Sequence, residues 1–311
     1  VLATLVTVAG SSYRRPGARL LITSGARVGS ISGGCLEQDV VARAHRVRTT
    51  GEAELVTYDT TSENDLVWGV GLGCHGVVQV LLEKIPAPPP WAAALAANQI
   101  AGLPTELAVT WRSPDPARIG TGLARDRSPA EGEGVFHNVI APPFPLFVFG
   151  AGDDAVPLVN MARELGWQVT VADPRAEFAS SSRFPLAHAV VSGRSDELVA
   201  HTDPPAHAAA VVMTHHYVHD LPILRALLQR DLVYLGLLGP KARATRILAD
   251  LDASGTAPSA ERRKRLHAPV GLDLGAETPA EVALSIVAEI QARIAGRDAK
   301  PLRERNRPIH G

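Results

Sequence analysis

The chain has 311 residues, 46% hydrophobic and 20% charged, with 32 acidic against 31 basic side chains and a formal net charge of −1. That length suits about two domains with separate cores, and balanced charge gives no reason to expect nucleic acid or an anionic membrane as the main partner. No apolar run approaches the roughly 18 residues that span a bilayer, and two cysteines are too few for a disulfide framework, which points to a reducing cytoplasm.

The opening VLATLVTVAG has no charged leader and reads as a strand, not a signal peptide. Because it starts on Val1 inside that strand, further residues are expected upstream. Residues 2–8 and 18–23 are β-rich, with the turn-like GSSYRRPG between them, and residues 27–32 make a third short strand that Gly33-Gly34 breaks. From Cys35 to about Arg48, Leu36, Val40, Ala44 and Val47 recur at helical spacing. VVQVLL (77–82) reads as a buried strand. A proline cluster at Pro86, Pro88, Pro89 and Pro90 is a candidate joint, followed by a helix near 91–101, a strand near 106–111 and a stretch without clear period. Pro142, Pro143 and Pro145 mark a second joint. Residues 1–142 therefore read as a smaller α+β domain, with 86–142 including the linker.

From Leu146 the rhythm changes to alternating strand and helix. Strands fit 146–150, 168–173, 187–191, 209–214 and 232–239, and helices fit 153–165, 220–229 and 240–251. Such βαβ units argue for a parallel sheet covered on both faces. A last helix starts strongly: Thr278 can cap it, Pro279 suits its first position and Glu281 completes a capping box. Residues 145–311 read as a Rossmann-like, doubly wound α/β domain.

Four features carry candidate chemistry. Gly150-Ala-Gly152-Asp-Asp-Ala155 lies between a strand and a helix, and Asp173 ends the next strand 23 residues after Gly150, where a ribose-binding acid belongs. Asp153 and Asp154 would oppose a phosphate at that helix start, so an NAD(P) site and a retained scaffold both stay open. Thr214-His215-His216 follows a strand, which places His215 at a carboxyl end, and Asp220 can cap the next helix. PVGLDLGAETP (269–279) sets Asp273 and Glu277 in a glycine-rich loop. In GSISGGCLEQDV, Cys35 follows Gly33-Gly34 at a helix start, whose field favours a thiolate, while Glu37 and Asp39 oppose it; a buried apolar cysteine is the alternative. Cys74 lies in GVGLGCHG (69–76), whose alternating glycines would leave bare backbone for a flat ligand or another strand. Cys35, Cys74 and His75 lack the paired spacing of a structural zinc site.

Taken together, GSSYRRPGARLLI, GSISGGCLEQDV, FGAGDDAVPL, VTVADPR, THHYVHD, YLGLLGPKAR and LHAPVGLDLGAETPAEVALSIVAEI resemble the xanthine dehydrogenase accessory factor (XdhC/CoxI) family over most of the chain, except roughly 91–141. The resemblance implies a cytoplasmic maturation factor and not an enzyme with its own turnover. It implies a protein that binds molybdenum–molybdopterin as cargo, supports its sulfuration with a cysteine desulfurase, and passes it to apo-xanthine dehydrogenase or a related hydroxylase. Gly33, Gly34, Cys35 and Glu37 fall on the family's first-domain motif. Gly150, Gly152, Ala155 and Asp173 fall on its Rossmann motif, and His215, Asp220, Asp273 and Glu277 on its later loops. A crevice between domains would suit a carrier that must release its cargo, and a homodimer is one way of presenting it to a large client. The alternatives are an NAD(P)-dependent oxidoreductase and a pure interaction module.

Overall fold

In the computed structural model, which describes residues 1–59 and 76–306, the first strand, β1 (Leu2–Gly10), sits at the centre of an antiparallel sheet. It is joined by β2 (Arg19–Ile22) and β3 (Arg27–Gly29) on one side. On the other lie β5 (Gly76–Glu83) and, beyond it, β4 (Glu54–Asp59), giving the order β3-β2-β1-β5-β4. Side chains alternate across a strand. Ala3 and Leu5 of β1, with Val80 and Leu82 of β5, therefore meet one face, where α1 (Glu37–Thr50) presents Val40, Ala44 and Val47 at helical spacing. Val6 and Leu81 point the other way and meet Val109. That residue belongs to β6 (Thr105–Arg112), which follows α2 (Ala92–Ala101) and forms a second antiparallel sheet with β7 (Gly120–Leu123) and β8 (Gly134–Ile140). The proline cluster near 86–90 thus lies inside this first unit, Val1–Pro142. Within this unit three strands, β4, β7 and β8, are additions to the sequence expectation, and α1 begins two residues later than expected, at Glu37.

The second unit, Pro143–Gly311, holds six parallel strands: β9 (Pro145–Phe149), β10 (Gln168–Asp173), β11 (Ala189–Ser192), β12 (Ala209–Val212), β13 (Tyr234–Leu237) and β14 (Leu266–His267). Their order is β11-β10-β9-β12-β13-β14, all pairs parallel, the doubly wound arrangement. β9 is buried throughout because it packs on both faces. Leu146 and Val148 join a core with Leu158 and Val159 of α3 (Ala155–Glu164) and Ile286 and Ile290 of α8 (Pro279–Ile294). Phe147 and Phe149 join the opposite core. That core takes Leu198 from α4 (Leu198–Thr202), Ile223 and Leu224 from α5 (Tyr217–Leu227), and Ile247 from α6 (Lys241–Ala253). α7 (Ala260–Lys264) leads into the edge strand. The α8 capping box is present: Glu281 N–H donates to Thr278 Oγ1 at 3.3 Å, and Thr278 N–H donates to the Glu281 carboxylate at 2.9 Å. The strand order reverses between β9 and β12, so the carboxyl ends of those two strands form the topological switch point.

Candidate functional site

Cys35 precedes α1 by two residues and is half-buried, its side chain against the edge of the first unit's core. It therefore lies outside the first helical turn in which the sequence spacing set it. The loop that presents it is organised by Glu37. The Glu37 carboxylate accepts from Ile31 N–H at 3.2 Å, Ser32 N–H at 2.9 Å and Ser30 Oγ at 3.1 Å, and also from the Ser32 hydroxyl. Ser32 Oγ in turn accepts from the N–H groups of Gly34 at 3.0 Å and Leu36 at 3.2 Å. Burial works to raise the Glu37 carboxyl, but the donors from Ser32 and Ser30 outweigh it and hold the group below its ordinary range. Glu37 thus braces the cysteine loop, a role that its sequence position beside Cys35 does not disclose.

Gly33 and Gly34 are exposed. Gly34 has φ of +115°, a conformation that requires glycine, with nothing within 4 Å of a would-be Cβ. Over Gly33 lies the ring of Tyr13, 3.7 Å from where a Cβ would stand; the ring is 61% exposed, and the Arg14 guanidinium is 5.3 Å from its centroid. Tyr13 and Arg14 sit in the GSSYRRPG segment, which reads from sequence only as a turn. An aromatic beside two arginines in a glycine-proline turn was the available signal. Cys74, with the alternating glycines around it, lies outside the described residues.

In the second unit, Gly150 has φ of +129°, and a Cβ there would meet Met213 C and O at 2.4 Å and Thr214 N at 2.7 Å. Its glycine lets the end of β9 pass close to the chain leaving β12. Gly152 differs: a Cβ there would meet nothing within 4 Å, so the turn is open above it. Asp173 is fully buried and does not offer a free carboxylate to a ribose. Its Oδ2 accepts from Ala151 N–H at 2.6 Å and Arg175 Nη2 at 2.8 Å, and its Oδ1 accepts from Arg175 N–H at 2.8 Å and Nε at 2.9 Å. Burial raises the carboxyl, and these partners pull it below its ordinary value. Asp173 ties the glycine turn to the end of β10.

His215 has φ of +62°, an uncommon left-handed conformation for a residue with a Cβ. Its Nε2 lies 3.0 Å from Asp154 Oδ2, so the loops after β9 and β12 are joined across the switch point. Asp153 pairs with Arg183 at 2.8 Å. Asp220 does not cap α5. It is buried in the helix, accepting from Thr214 Oγ1 at 2.6 Å and from Arg243 at 3.4 Å, while His216 takes the N-cap position. Asp273 is exposed in the loop before α8 and, among the described residues, makes no ion pair or side-chain hydrogen bond with the other two loops. Among the described residues no group of three or more histidine, cysteine or acidic side chains is set to hold a metal, and no helix is long and apolar enough to cross a membrane.

The model of the XdhC Rossmann domain matches residues 146–290, and that of the XdhC and CoxI family matches residues 1–59. A Bacillus subtilis protein, named as a probable subunit of xanthine dehydrogenase, is 35% identical, the match covering 93% of this chain and 92% of that protein. The molybdenum cofactor insertion chaperone PaoD of Escherichia coli is 26% identical, over 93% of this chain and 82% of its own length. A crystal structure described as a xanthine dehydrogenase from Bacillus halodurans superposes with a TM-score of 0.80 at 31% identity, covering 97% of this chain and 94% of that one.

Proposed function

The chain belongs to the XdhC and CoxI family, and on that premise we propose that it carries molybdenum cofactor to an apo-xanthine dehydrogenase or related hydroxylase in the cytoplasm, without turnover of its own. The relative named as a molybdenum cofactor insertion chaperone, aligned along most of this chain, supports the role. The observation that carries it here is the half-buried Cys35 thiol directly behind two exposed glycines. A soft thiolate suits a thiophilic metal. The bare backbone at Gly33 and Gly34, with the Tyr13 ring beside it, suits a flat pterin, and Arg14 and Arg15 suit its phosphate. The loop's own amides contribute less than its glycines suggest, because those of Ile31, Ser32, Gly34 and Leu36 are committed to Glu37 and Ser32. Sulfuration of the bound cargo would draw on a cysteine desulfurase.

The test is co-elution of the full chain with molybdenum cofactor released anaerobically from a hydroxylase, then activation of apo-xanthine dehydrogenase with and without a cysteine desulfurase. Cys35→Ser should weaken retention at least about tenfold, as loss of a metal-site group does. Unchanged retention and activation would remove Cys35 from the site, and failure of the unaltered chain to hold cofactor would overturn the role. A second reading, an NAD(P)-dependent oxidoreductase, is favoured by the doubly wound order and the open Gly152 turn. The ribose end does not fit the usual scheme, since Asp173 is committed within the turn. NADH oxidation with aldehydes as acceptors would establish that reading.

A further inference from the structure

Beyond the carrier role, we propose that the second unit holds a ribonucleoside subsite at the carboxyl ends of β10 and β11, where Asp196 accepts from the ribose diol and the Ser195–His219 pair meets the base. The cleft has a volume of about 610 Å³ and is bounded by Pro174, Gly193–Asp196, Val218, His219 and Pro222. It is shallow and open to solvent, which suits a weakly held ligand. Pro174 follows β10, Gly193 follows β11, and Val218 to Pro222 belong to the first turns of α5, so the cleft opens at the carboxyl edge of the sheet, on the β10–β11 side of the switch point.

Its chemistry is divided. Pro174, Pro222 and Val218 offer apolar walls, and Val218 is 71% exposed, which leaves a large aliphatic surface uncovered beside the opening. A planar base can pack there. Ser195 Oγ and His219 Nδ1 are 2.8 Å apart, a donor–acceptor pair able to exchange partners with a base edge. Arg194 holds the Asp196 carboxylate through Nε at 3.2 Å and Nη2 at 2.9 Å and also faces Glu197 at 3.6 Å. With two acids on one arginine, the cleft favours the neutral sugar and base over a phosphate. The Asp196 side chain is 55% exposed and keeps free lone pairs for a diol. Doubly wound nucleotide sites usually read ribose with an acid near the end of the second strand. Here that residue, Asp173, is sealed, and Asp196 is the exposed carboxylate one strand further out.

Equilibrium dialysis of the full chain with adenosine, cytidine and their 2′-deoxy forms tests this. At least one ribonucleoside should bind saturably at millimolar concentration or below, and its deoxy form about tenfold more weakly, the worth of a charge-assisted hydrogen bond. Asp196→Asn should erase the ribo–deoxy difference, whereas Ser195→Ala should weaken both forms alike. Cys35→Ser should change neither, which separates this subsite from the cofactor proposal. No saturable binding, equal binding of ribo and deoxy forms, or an unaltered difference in Asp196→Asn would overturn the subsite.

Discussion

Glu37 acts on its loop as a bound anion would, gathering two main-chain N–H groups and two serine hydroxyls around one carboxylate. Its folded pKa is depressed, so its contribution to the loop is complete above the unfolded value of about 4.3 and is lost as pH falls through the lower folded value. Glu37→Gln should therefore loosen the segment at neutral pH and raise the rate of Cys35 modification by dithiodipyridine several-fold. The unaltered chain should approach the variant's rate only in acid, where the Glu37 carboxylate takes up its proton. Equal rates at neutral pH would mean that Glu37 does not brace the cysteine. The cysteine itself is legible in sequence, because a glycine pair followed by a helical period is a local signal. The role of Glu37 is not, since it depends on a chain that doubles back over Ser30–Ser32. Tyr13 is still less so, as it reaches Gly33 from a different loop.

At the scale of elements, the glycine turn after β9 separates two roles that its sequence motif merges. Gly150→Ala would force a Cβ into the main chain of Met213 and Thr214 at a φ that L-residues rarely adopt, and should destabilise the unit by about 2–3 kcal/mol. Gly152→Ala places its Cβ in open space and should shift stability by no more than about 0.5 kcal/mol. Urea midpoints of the two variants check this contrast; similar losses would show that Gly152 is also packed. The turn was legible because strand, glycines and helix are contiguous, as was α8, whose Thr-Pro-x-Glu start makes its capping box within four residues. β4 buries only Val56 and Tyr58 on alternate positions, and β7 has four residues, two of them glycine. A strand as short as β7 takes its structure from its neighbours, which no local pattern records.

The whole chain has more than one hydrophobic core: α1 packs on the antiparallel sheet in the first unit, and helices cover both faces of the parallel sheet in the second. Each unit exceeds the size at which a domain sustains its own cooperative transition. Asp173 offers a way to perturb one of them alone. Removing a buried carboxylate that Arg175 and Ala151 N–H both hold costs about 3 kcal/mol, because the guanidinium is left without its partner. Asp173→Ala should therefore lower the midpoint of one unfolding transition and leave the other in place, with Trp167, buried in the second unit's core, reporting the one that moves. The sign with pH follows from the depressed folded pKa. The Asp173 contribution is full above the unfolded value of about 3.9 and disappears as pH falls through the folded value, so wild-type and variant midpoints should converge in strong acid. A single transition that shifts as a whole would mean that the two units unfold together, and a gap that persists in strong acid would mean that the Asp173 carboxylate is not the group responsible.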